Sequence, residues 1–551
     1  MRIDHKPEGI RQSMSWLHTW TGIVLGWLLY VVFFTGTLSY FQDEISLWMK
    51  PELHRSVPTG DVDQTVQAAL AGMQTLAPNA TVWTLNLPTE RRTTVAASWR
   101  EPGSENAGRA GTKRAELDAA TGEQITPRET RGGGFLYRFH FELHSMPRAV
   151  SRWIVGIATM FMLVAIISGV ITHKKIFTDF FTFRPRKGQR SWLDAHNVTA
   201  VLALPFHVMI TFSGLLLLMG TLMAWPVDAV YQGDRQAYNA ERRGGGGGGG
   251  GGDGAPRRGA RQMAEAQPVD LAAAIVPMLA QARTQWPGRT VGTVTINKPG
   301  KPGATVELRE HGSESLLSRG AARRLRFDAA TGTLREQPAP AAQSAANAIY
   351  NVVVVAHLGD FAGPTVRWLL FLSGVAGTAM VGTGLVLWVV KRLPERRKLG
   401  RTPWGHHLVE KSNIAVITGL ALATAGYFWL NRLLSANMAG RTDWEINGFF
   451  IVWLASLVHA VLRPARAAWI EQSIAAAVLF ALLPLLNPLT GGHGLVSSLV
   501  LGQLSIAGFD LAMLALASIF ATIAAHLIAK ARKTAAPARP AHAAPSVPVT
   551  P

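Results

Sequence analysis

Residues 193-LDAHNVTAVLALPFHVMI-210 open a predicted membrane helix, because the apolar run continues through 211-TFSGLLLLMGTLMAW-225. Two histidines, His196 and His207, stand eleven residues apart in this run. At 100° per residue, eleven residues complete three turns plus about 20°, so both rings should leave the same face of the helix. The helical rise separates them by roughly 16 Å. Two titratable rings on one face indicate a function inside the membrane, since unpaired polar groups are costly there.

The composition predicts a polytopic membrane protein. Of the 551 residues, 48% are hydrophobic, and several apolar runs reach about 20 residues, the length that crosses a bilayer. Much of the net charge of +19 flanks these runs, which favours contact with membrane lipids over nucleic acid. The chain has no cysteine, which excludes disulfides, iron–sulfur clusters and covalent haem attachment. The first apolar run is too long for a cleavable signal, so we interpret it as a retained helix.

Eight membrane helices are predicted from the apolar runs. They lie near 16–41, 150–173, 193–225, 365–390, 412–433, 446–462, 468–487 and 506–529, and segment 494–505 is either interfacial or an extension of the last helix. Basic loops follow the even-numbered helices, as in 391-KRLPERRKLGR-401 and 530-KARK-533. The excess of basic residues in cytoplasmic loops therefore predicts two cytoplasmic termini. The long segments 42–149 and 226–364 would then be periplasmic loops of a bacterial inner-membrane protein.

These two long segments resemble each other. The first contains 62-VDQTVQAAL, 81-TVWTLNLP and 114-RAELDAATGEQI, and the second contains 269-VDLAAAIVP, 291-VGTVTINKP and 324-RLRFDAATGTLRE. Each series predicts a short helix, alternating strands and a final tight turn, with Asp at its start and Gly at positive φ. The matching order predicts an internal repeat of a small α+β module, at 59–130 and 265–340.

Two segments are predicted to lack a fixed fold. The run 241-ERRGGGGGGGGGDGAPRRGARQ-262 is typical of a flexible linker. It is not a phosphate-binding loop, because no strand precedes it and no helix follows. The tail at 534–551 is rich in Ala and Pro, which is typical of disorder.

Six of the sixteen histidines fall at two levels of the first four helices, and a seventh lies between these levels. The cytoplasmic level holds His18, His173 and His196, the outer level holds His140, His144 and His357, and His207 lies nearer mid-membrane. A four-helix bundle that binds two haems needs two axial nitrogens from facing helices for each iron. Small residues beside these positions would let a porphyrin or a helix approach; they are Gly22, Gly26, Gly169, Gly214 and Gly374. The pattern predicts two non-covalent haems b on an electron path across the bilayer.

Other interpretations of these histidines remain open. A single intramembrane histidine often only bonds a backbone carbonyl. His140 and His144 have the i, i+4 spacing of metal ligands on a helix, although no third ligand accompanies them. A proton relay would also use histidines. Helices one to four, however, contain almost no interior Asp or Glu to complete one.

Several motifs resemble a known family. The runs 16-WLHTWTGIVLGWLLYVVFFTGTLSYF-41, 193-LDAHNVTAVLALPFH-207 and 356-AHLGDFAG-363 resemble PepSY-associated membrane proteins. The run 167-ISGVITHKKIFTDFFTFRPRKGQRSWLDAHN-197 is similar to the iron-uptake branch, which includes FoxB-type siderophore reductases. The two repeats resemble PepSY modules. The likeness covers roughly residues 10–400.

The resemblance implies a fold and a set of ligands. The fold is a membrane all-α helical bundle of about eight helices with two small extracytoplasmic α+β PepSY-like modules, in which 10–41, 150–225 and 365–391 form a haem-binding core. The family's helix-start histidines correspond to His18, His144, His196 and His357, expected as axial ligands of the haem iron; His173 and His207 match the iron-uptake branch. We expect His18 to pair with His196, and His144 with His357. His140 is a further candidate.

The implied activity is that of a ferric-siderophore reductase. It would pass electrons to periplasmic ferric siderophores and release Fe(II), with no catalytic acid or base of its own because the haem performs the redox chemistry. No G-x-G-x-x-G motif follows a strand, and the cytoplasmic loops are too short for a flavin or nicotinamide domain. We therefore expect a quinol or a separate reductase as electron donor. A PepSY-type membrane sensor or peptidase regulator and a siderophore permease remain alternatives.

The C-terminal helices at 412–530 lie outside this likeness. They carry His459 and His526, each near the predicted cytoplasmic end of its helix. A role in packing or partner binding is favoured for them, with a third haem as the alternative. The adjacent His406 and His407 are expected to be solvated.

Overall fold

The computed structural model describes residues 9–104, 110–173, 178, 183–223, 225–234, 237–238, 269–311, 323–335, 345–359 and 361–535. The predicted glycine linker at 241–262 and all but the first two residues of the predicted tail at 534–551 lie outside the described residues.

The helices are numbered here in chain order. They are α1 Ile10–Val24, α2 Gly26–Ser39, α3 Gln42–Trp48, α4 Val62–Leu76, α5 Gly133–Phe139, α6 Arg148–Thr172, α7 Gln189–Leu202, α8 Leu204–Leu222, α9 Trp225–Tyr231, α10 Leu271–Gln285, α11 Ala345–Leu358, α12 Pro364–Leu399, α13 Trp404–Leu433, α14 Arg441–Leu462, α15 Ala465–Leu489, α16 Leu495–Val500 and α17 Leu504–Ala535. A 3₁₀ helix covers Pro51–Arg55.

The helices confirm a multi-pass membrane architecture. Among the described residues, seven helices are long and apolar enough to cross a membrane: α6, α8, α12, α13, α14, α15 and α17. The pair α1 and α2 makes an eighth span if it is counted as one helix bent by 66° at Leu25. The prediction of about eight membrane helices agrees with this range.

The helix predicted at 193–225 is interrupted, so the prediction of one continuous helix is wrong. Helix α7 ends at Leu202 and α8 begins at Leu204, with Ala203 at φ −110° and ψ 22° between them. Pro205 explains the break, because it has no N–H to donate to the carbonyl four residues earlier. At the other end of the chain, α16 is separate from α17, so segment 494–505 does not lengthen the last helix.

The first helices form a bundle around two packing seams. On one side α6 packs against α1 and α8, and on the other α12 packs against α2 and α7. Helix α11 lies against α8. We call the end of the bundle from which the two long segments emerge the sheet end, and the opposite end the far end.

The two long segments together form one eight-stranded antiparallel sheet. Its strands are β1 Val82–Asn86, β2 Val95–Arg100, β3 Thr112–Leu117, β4 Gln124–Ile125, β5 Val291–Asn297, β6 Thr305–Glu310, β7 Arg324–Asp328 and β8 Leu334–Arg335. Their order in the sheet is β4-β3-β2-β1-β5-β6-β7-β8. The repeat therefore contributes four strands from each copy.

The two modules meet where β1 pairs with β5, with Thr84 opposite Thr295 at the centre of the seam. Helices α4 and α10 pack on one face of the sheet, and both feed a single hydrophobic core, as Leu70 and Leu279 illustrate. The sequence predicted two modules without predicting how they are arranged, and the structure joins them in one sheet. Each module alone would leave one edge strand unpaired, β1 in the first module and β5 in the second. Pairing β1 with β5 satisfies the backbone N–H and C=O groups of both strands.

The repeated local signals form equivalent structures. Asp61 caps α4 and Asp270 caps α10, each by accepting backbone N–H groups of the first turn. In the predicted D-A-A-T-G turns, Gly122 has φ +74° and Gly332 has φ +68°. A side chain at Gly122 would also collide with the carbonyl of Ala68, at 1.9 Å from an added Cβ.

The C-terminal helices α13 to α17 pack against the bundle and against α3. Helix α13 contacts α2 and α12, and α17 contacts α3. Asn413 of α13 links two core helices, since it accepts from the Trp27 indole at 2.9 Å and donates to the Leu385 carbonyl at 2.9 Å. At the sheet end, Thr130 donates to Glu445 at 2.5 Å. The C-terminal helices thus make direct contacts with the helices of the first bundle.

Candidate functional site: two histidine pairs

The structure brings His18 and His196 together as an inner pair. Their ring centroids lie 6.1 Å apart, with planes inclined by 63°. The Nδ1 atom of His18, on α1, lies 2.9 Å from the Ala165 carbonyl on α6. The Nδ1 atom of His196, on α7, lies 2.8 Å from the Met380 carbonyl on α12. Four helices therefore meet at this pair.

His140 and His357 form a second, outer pair. Their ring centroids also lie 6.1 Å apart, with planes inclined by 42°. His140 follows α5, and its Nδ1 lies 2.7 Å from the Val32 carbonyl on α2. His357 is near the end of α11, and its Nδ1 lies 2.7 Å from the Ser213 hydroxyl on α8.

A glycine on a neighbouring helix lies against each of the four rings. An added Cβ would lie 3.1 Å from His18 at Gly169 and 3.1 Å from His196 at Gly384. The corresponding distances are 2.6 Å from His140 at Gly36 and 3.5 Å from His357 at Gly214. Gly169 and Gly214 were singled out in the sequence, but Gly36 and Gly384 were not. These glycines let each ring pack directly on a helix backbone.

The hydrogen bonds leave one nitrogen of each ring available. Nδ1 is engaged in all four rings, and no described residue hydrogen-bonds the Nε2 of any of them. Metal-binding histidines commonly use one ring nitrogen for a backbone or side-chain partner and the other for the metal. Each of the four side chains thus has its Nδ1 held by a hydrogen bond while its Nε2 is available, as in metal-binding histidines.

The spacing within each pair fits one metal ion between the rings. Two imidazoles that bind one metal ion through Nε2 from opposite sides, with bonds of about 2.0–2.1 Å, have centroids roughly 6.3 Å apart. Both pairs measure 6.1 Å. The donor set of two imidazoles also suits the axial positions of a haem iron. The residues present therefore fit haem at both pairs.

The two pairs lie at different depths. His357 packs against Gly214 of α8. A Cβ added at Gly214 would also lie 3.7 Å from the Thr159 side chain of α6, so Thr159 marks the depth of the outer pair on α6. His18 packs on Gly169 of the same helix. The ten residues between Thr159 and Gly169 span roughly 15 Å of helix. One straight helix therefore passes both levels.

The outer pair lies toward the sheet end. Tyr40, at the end of α2, packs against Gly359 just beyond His357. Nearby, Glu44 of α3 binds Arg91 of the first module at 2.7 Å and Arg367 of α12 at 3.4 Å. These contacts tie the sheet to the helices that carry the outer pair.

Two of the predicted ligands lie outside the pairs. His144, the residue matched to the family's outer histidine, is exposed and stacks on Phe450 of α14 at 5.3 Å. The structure therefore brings His140, and not His144, to His357. His173 lies beside the inner level, where its Nε2 is 2.7 Å from the amide of Asn197.

His207 lies between the two levels and is fully buried, at 0% exposure. Neither of its ring nitrogens has a hydrogen-bond partner among the described residues. It faces α12 at Gly377, seven residues from the Gly384 contact of His196. Both histidines thus face α12, although α7 and α8 do not form the single continuous helix that the sequence predicted. The seven residues from Gly377 to Gly384 correspond to roughly 10 Å along α12. A single unbroken helix carrying His196 and His207 would instead separate them by roughly 16 Å along its own axis.

A third pair of rings shows that distance alone does not define a site. His54 and His493 have centroids 6.0 Å apart. Both nitrogens of His54 are used, however, because Nε2 donates to the Leu47 carbonyl and Nδ1 accepts from the His493 backbone N–H. Burial and nearby arginines lower the pKa of His54 to about 3, so it is neutral at pH 7. No nitrogen of His54 remains for a metal.

The other C-terminal histidines have separate surroundings. His459 bonds Glu471 at 2.8 Å and Gln472 at 3.2 Å, which occupies both of its ring nitrogens. His526 is exposed. His406 is 5% exposed, so the prediction that both His406 and His407 are solvated is wrong for His406, whereas His407 is exposed.

No group of three or more His, Asp or Glu side chains suited to a metal ion occurs among the described residues. His140 and His144 do not share a helical face, because α5 ends at Phe139. The structure therefore gives no geometric support for a metal site built on their i, i+4 spacing.

The family model described as the PepSY-associated TM region matches residues 15–391, roughly two thirds of the chain. The matched region includes both histidine pairs and both modules, and ends before α13. No curated protein matches the chain.

Proposed function

Since the chain belongs to the family of PepSY-associated transmembrane proteins, we propose that it is a haem b oxidoreductase that carries electrons across the membrane to ferric siderophores. The observation that carries the proposal is the pair geometry. Two histidine pairs, each with Nδ1 held and Nε2 available, lie at two depths of one bundle. One haem at each pair would give an electron path.

The roles of the side chains follow from their contacts. Haem, when bound, supplies one-electron redox chemistry. His18 and His196 would hold the inner group, and His140 and His357 the outer one. Carbonyl partners on Nδ1 orient three of these rings and raise their basicity as ligands, while Ser213 orients His357. The surrounding apolar helices exclude water.

The acceptor side follows from the position of the sheet. A chelate as large as a ferric siderophore does not fit inside a helical bundle, so it would take its electron at the sheet end, near His357. The basic segment at the end of α12 favours a cytoplasmic far end, which would place the sheet in the periplasm of a bacterial inner membrane.

Two measurements test this function. Purified protein from haem-replete cells should contain about two haems b per chain, extractable with acid acetone because the chain has no cysteine. Proteoliposomes with an internal reductant should reduce an external ferric siderophore, detected by ferrozine capture of Fe(II). Liposomes without protein are the control.

A colourless protein would contradict the proposal. The sensor and permease alternatives need no haem, so the optical spectrum separates them from the reductase. Transport of an intact labelled siderophore by haem-free protein would favour the permease.

A further inference from the structure

Two buried polar atoms without hydrogen-bond partners belong to neighbouring rings at the far end of α12 and α13. The Nε2 atom of His406 and the Nε1 atom of Trp388 are both inaccessible to solvent, and neither has a hydrogen-bond partner among the described residues. The His406 side chain is only 5% exposed. The two rings lie 6.2 Å apart, with planes inclined by 50°. Because a buried polar atom without a partner is destabilising, this arrangement suits a ligand that carries oxygen atoms.

This region is adjacent to the inner histidine pair. Gly384, on which His196 packs, and Trp388 are four residues apart on α12. Residues i and i+4 lie on one face of a helix, with roughly 6 Å of rise between them. A ligand at Trp388 would therefore be one helical turn from the level of His196.

The charges nearby belong to both helices. The Arg392 guanidinium lies 3.9 Å from the centre of the Trp388 ring. Arg396 of α12 and Glu410 of α13 form an ion pair of 3.5 Å, and Glu395 is a further charged group near His406. These groups mark the boundary between the apolar part of α12 and the aqueous phase.

The approach to the region is apolar. On the first turns of α13, Trp404 is 78% exposed and Leu408 is 43% exposed. An exposed tryptophan beside a basic segment is typical of the membrane–water interface. A ligand that reaches His406 along these side chains would come from the lipid phase, which favours a lipid-soluble molecule over a nucleotide.

We propose that Trp388 and His406 bind the headgroup of a quinol, which is the electron donor of this protein. The Trp388 N–H donates to one quinol oxygen, and His406 Nε2 accepts the proton of a quinol hydroxyl. This inference rests on the proposed function, because the electrons would pass to the haem held by the inner histidine pair. Oxidation of one quinol to one quinone would release two protons and two electrons, and the ferric haem that His18 and His196 would hold could accept these electrons one at a time. His406 takes one proton at a time and releases it to water at the far end.

Photolabelling tests the site without relying on activity. Full-length protein in detergent is irradiated with an azido-quinone, and the labelled peptides are mapped by mass spectrometry. We expect label within 388–411, displaced by an excess of decylubiquinol. His406→Ala should reduce labelling at least tenfold, and Trp388→Phe, which removes only the N–H, about fivefold. His407→Ala is the matched control, since His407 is adjacent but exposed, and should label normally.

The second readout is anaerobic reduction by decylubiquinol, followed in the haem spectrum. His406→Gln keeps an amide that can hydrogen-bond but does not take a proton. It should label within twofold of wild type and yet be reduced at least tenfold more slowly. Dithionite reduction and haem content should not change in any of these variants, which separates loss of the quinol site from misfolding.

Three outcomes would overturn the inference. The first is wild-type labelling and quinol reduction in His406→Ala. The second is label that anionic phospholipid displaces and decylubiquinol does not, which would identify a lipid headgroup site. The third is haem reduction by a soluble reductase but never by quinol. Haem-free protein would instead contradict the proposed function, a result that the haem content reveals separately.

Discussion

At the scale of single residues, the choice between His140 and His144 decides the composition of the outer site. The two residues are four apart in the sequence, so either could serve a site that is located only by helix ends. The structure directs His140 toward His357, with Nδ1 on the Val32 carbonyl, and directs His144 toward Phe450. The bond to Nδ1 is the feature that distinguishes a positioned ligand from a nearby ring.

Under the proposed function, His140→Ala should remove the outer haem, whereas His144→Ala should retain it. We expect the haem content of His140→Ala to fall from about two per chain to about one, because one of two axial ligands is lost. The pyridine haemochrome assay measures this content. Haem loss in His144→Ala with two haems in His140→Ala would reverse the assignment and favour the ligand set implied by the family resemblance.

At the scale of secondary-structure elements, helix breaks and glycines set where the rings meet. The bend at Leu25 separates α1, which carries His18, from α2, which supports His140. The break at Ala203 similarly separates His196 from the part of the run that supports His357. Each ring then packs on a glycine of another helix. A substitution at one of these glycines should consequently affect only the histidine pair against which that glycine packs.

Gly36→Ala and Gly214→Ala form a matched pair of substitutions. An added Cβ would lie 2.6 Å from the His140 ring at Gly36, but 3.5 Å from His357 at Gly214. Since Ala is the better helix former by about 1 kcal/mol, a defect in Gly36→Ala would come from the ring contact. We expect loss of the outer haem in Gly36→Ala and two haems in Gly214→Ala, as measured by haem content. Two haems in both variants would show that His140 can move without losing its role.

At the scale of the whole molecule, buried charges join the C-terminal extension to the core. Arg441 and Glu445 are both fully buried and form an ion pair. Arg441 also donates to the Glu129 carbonyl at 2.7 Å, and Glu445 accepts from Thr130 at 2.5 Å. The loop at 128–132 is thereby fixed between the sheet and α5, which precedes His140. The extension thus supports the outer site indirectly.

Arg441→Met should strongly destabilise the protein, because it leaves the Glu445 carboxylate buried without its cation. Losses of about 3–5 kcal/mol are typical of such changes. The double variant Arg441→Met/Glu445→Leu should recover part of this loss, since neither charge remains. Lys113→Ala is the surface control: Lys113 pairs with Glu101, and both side chains are at least half exposed, so a change within about 1 kcal/mol is expected. Unfolding of the detergent-solubilised protein measures all three, and equal losses in the single and double variants would argue against this account.

His54 makes the contact between the core and the extension sensitive to acid. Its pKa is lowered to about 3 in the folded protein, mainly by burial, compared with about 6.5 when unfolded. As the pH falls below 6.5 the unfolded state binds the proton first, so folding stability decreases. Between pH 7 and pH 5 this residue should account for a loss of roughly 2 kcal/mol.

Comparison of variants isolates this contribution. His54→Gln should reduce the loss of stability between pH 7 and pH 5 by about that amount, as measured by unfolding at each pH. His407→Gln, at an exposed position, should follow the wild-type curve. If His54→Gln lost as much folding stability between pH 7 and pH 5 as wild type, His54 would not be the source of the acid sensitivity.

The sequence by itself determined the membrane class, the helix positions, the repeated modules and the two levels of histidines. These features depend on local properties, namely apolar run length, turn residues and position relative to helix ends. Only the tertiary structure decided that His140 meets His357, that the two modules share one sheet, and that His406 is buried beside Trp388. These outcomes depend on contacts between segments far apart in the chain, and on breaks at Leu25 and Ala203 that redirect side chains. Because one helical turn shifts a ring by about 5.4 Å, no local pattern fixes which histidines can share a metal.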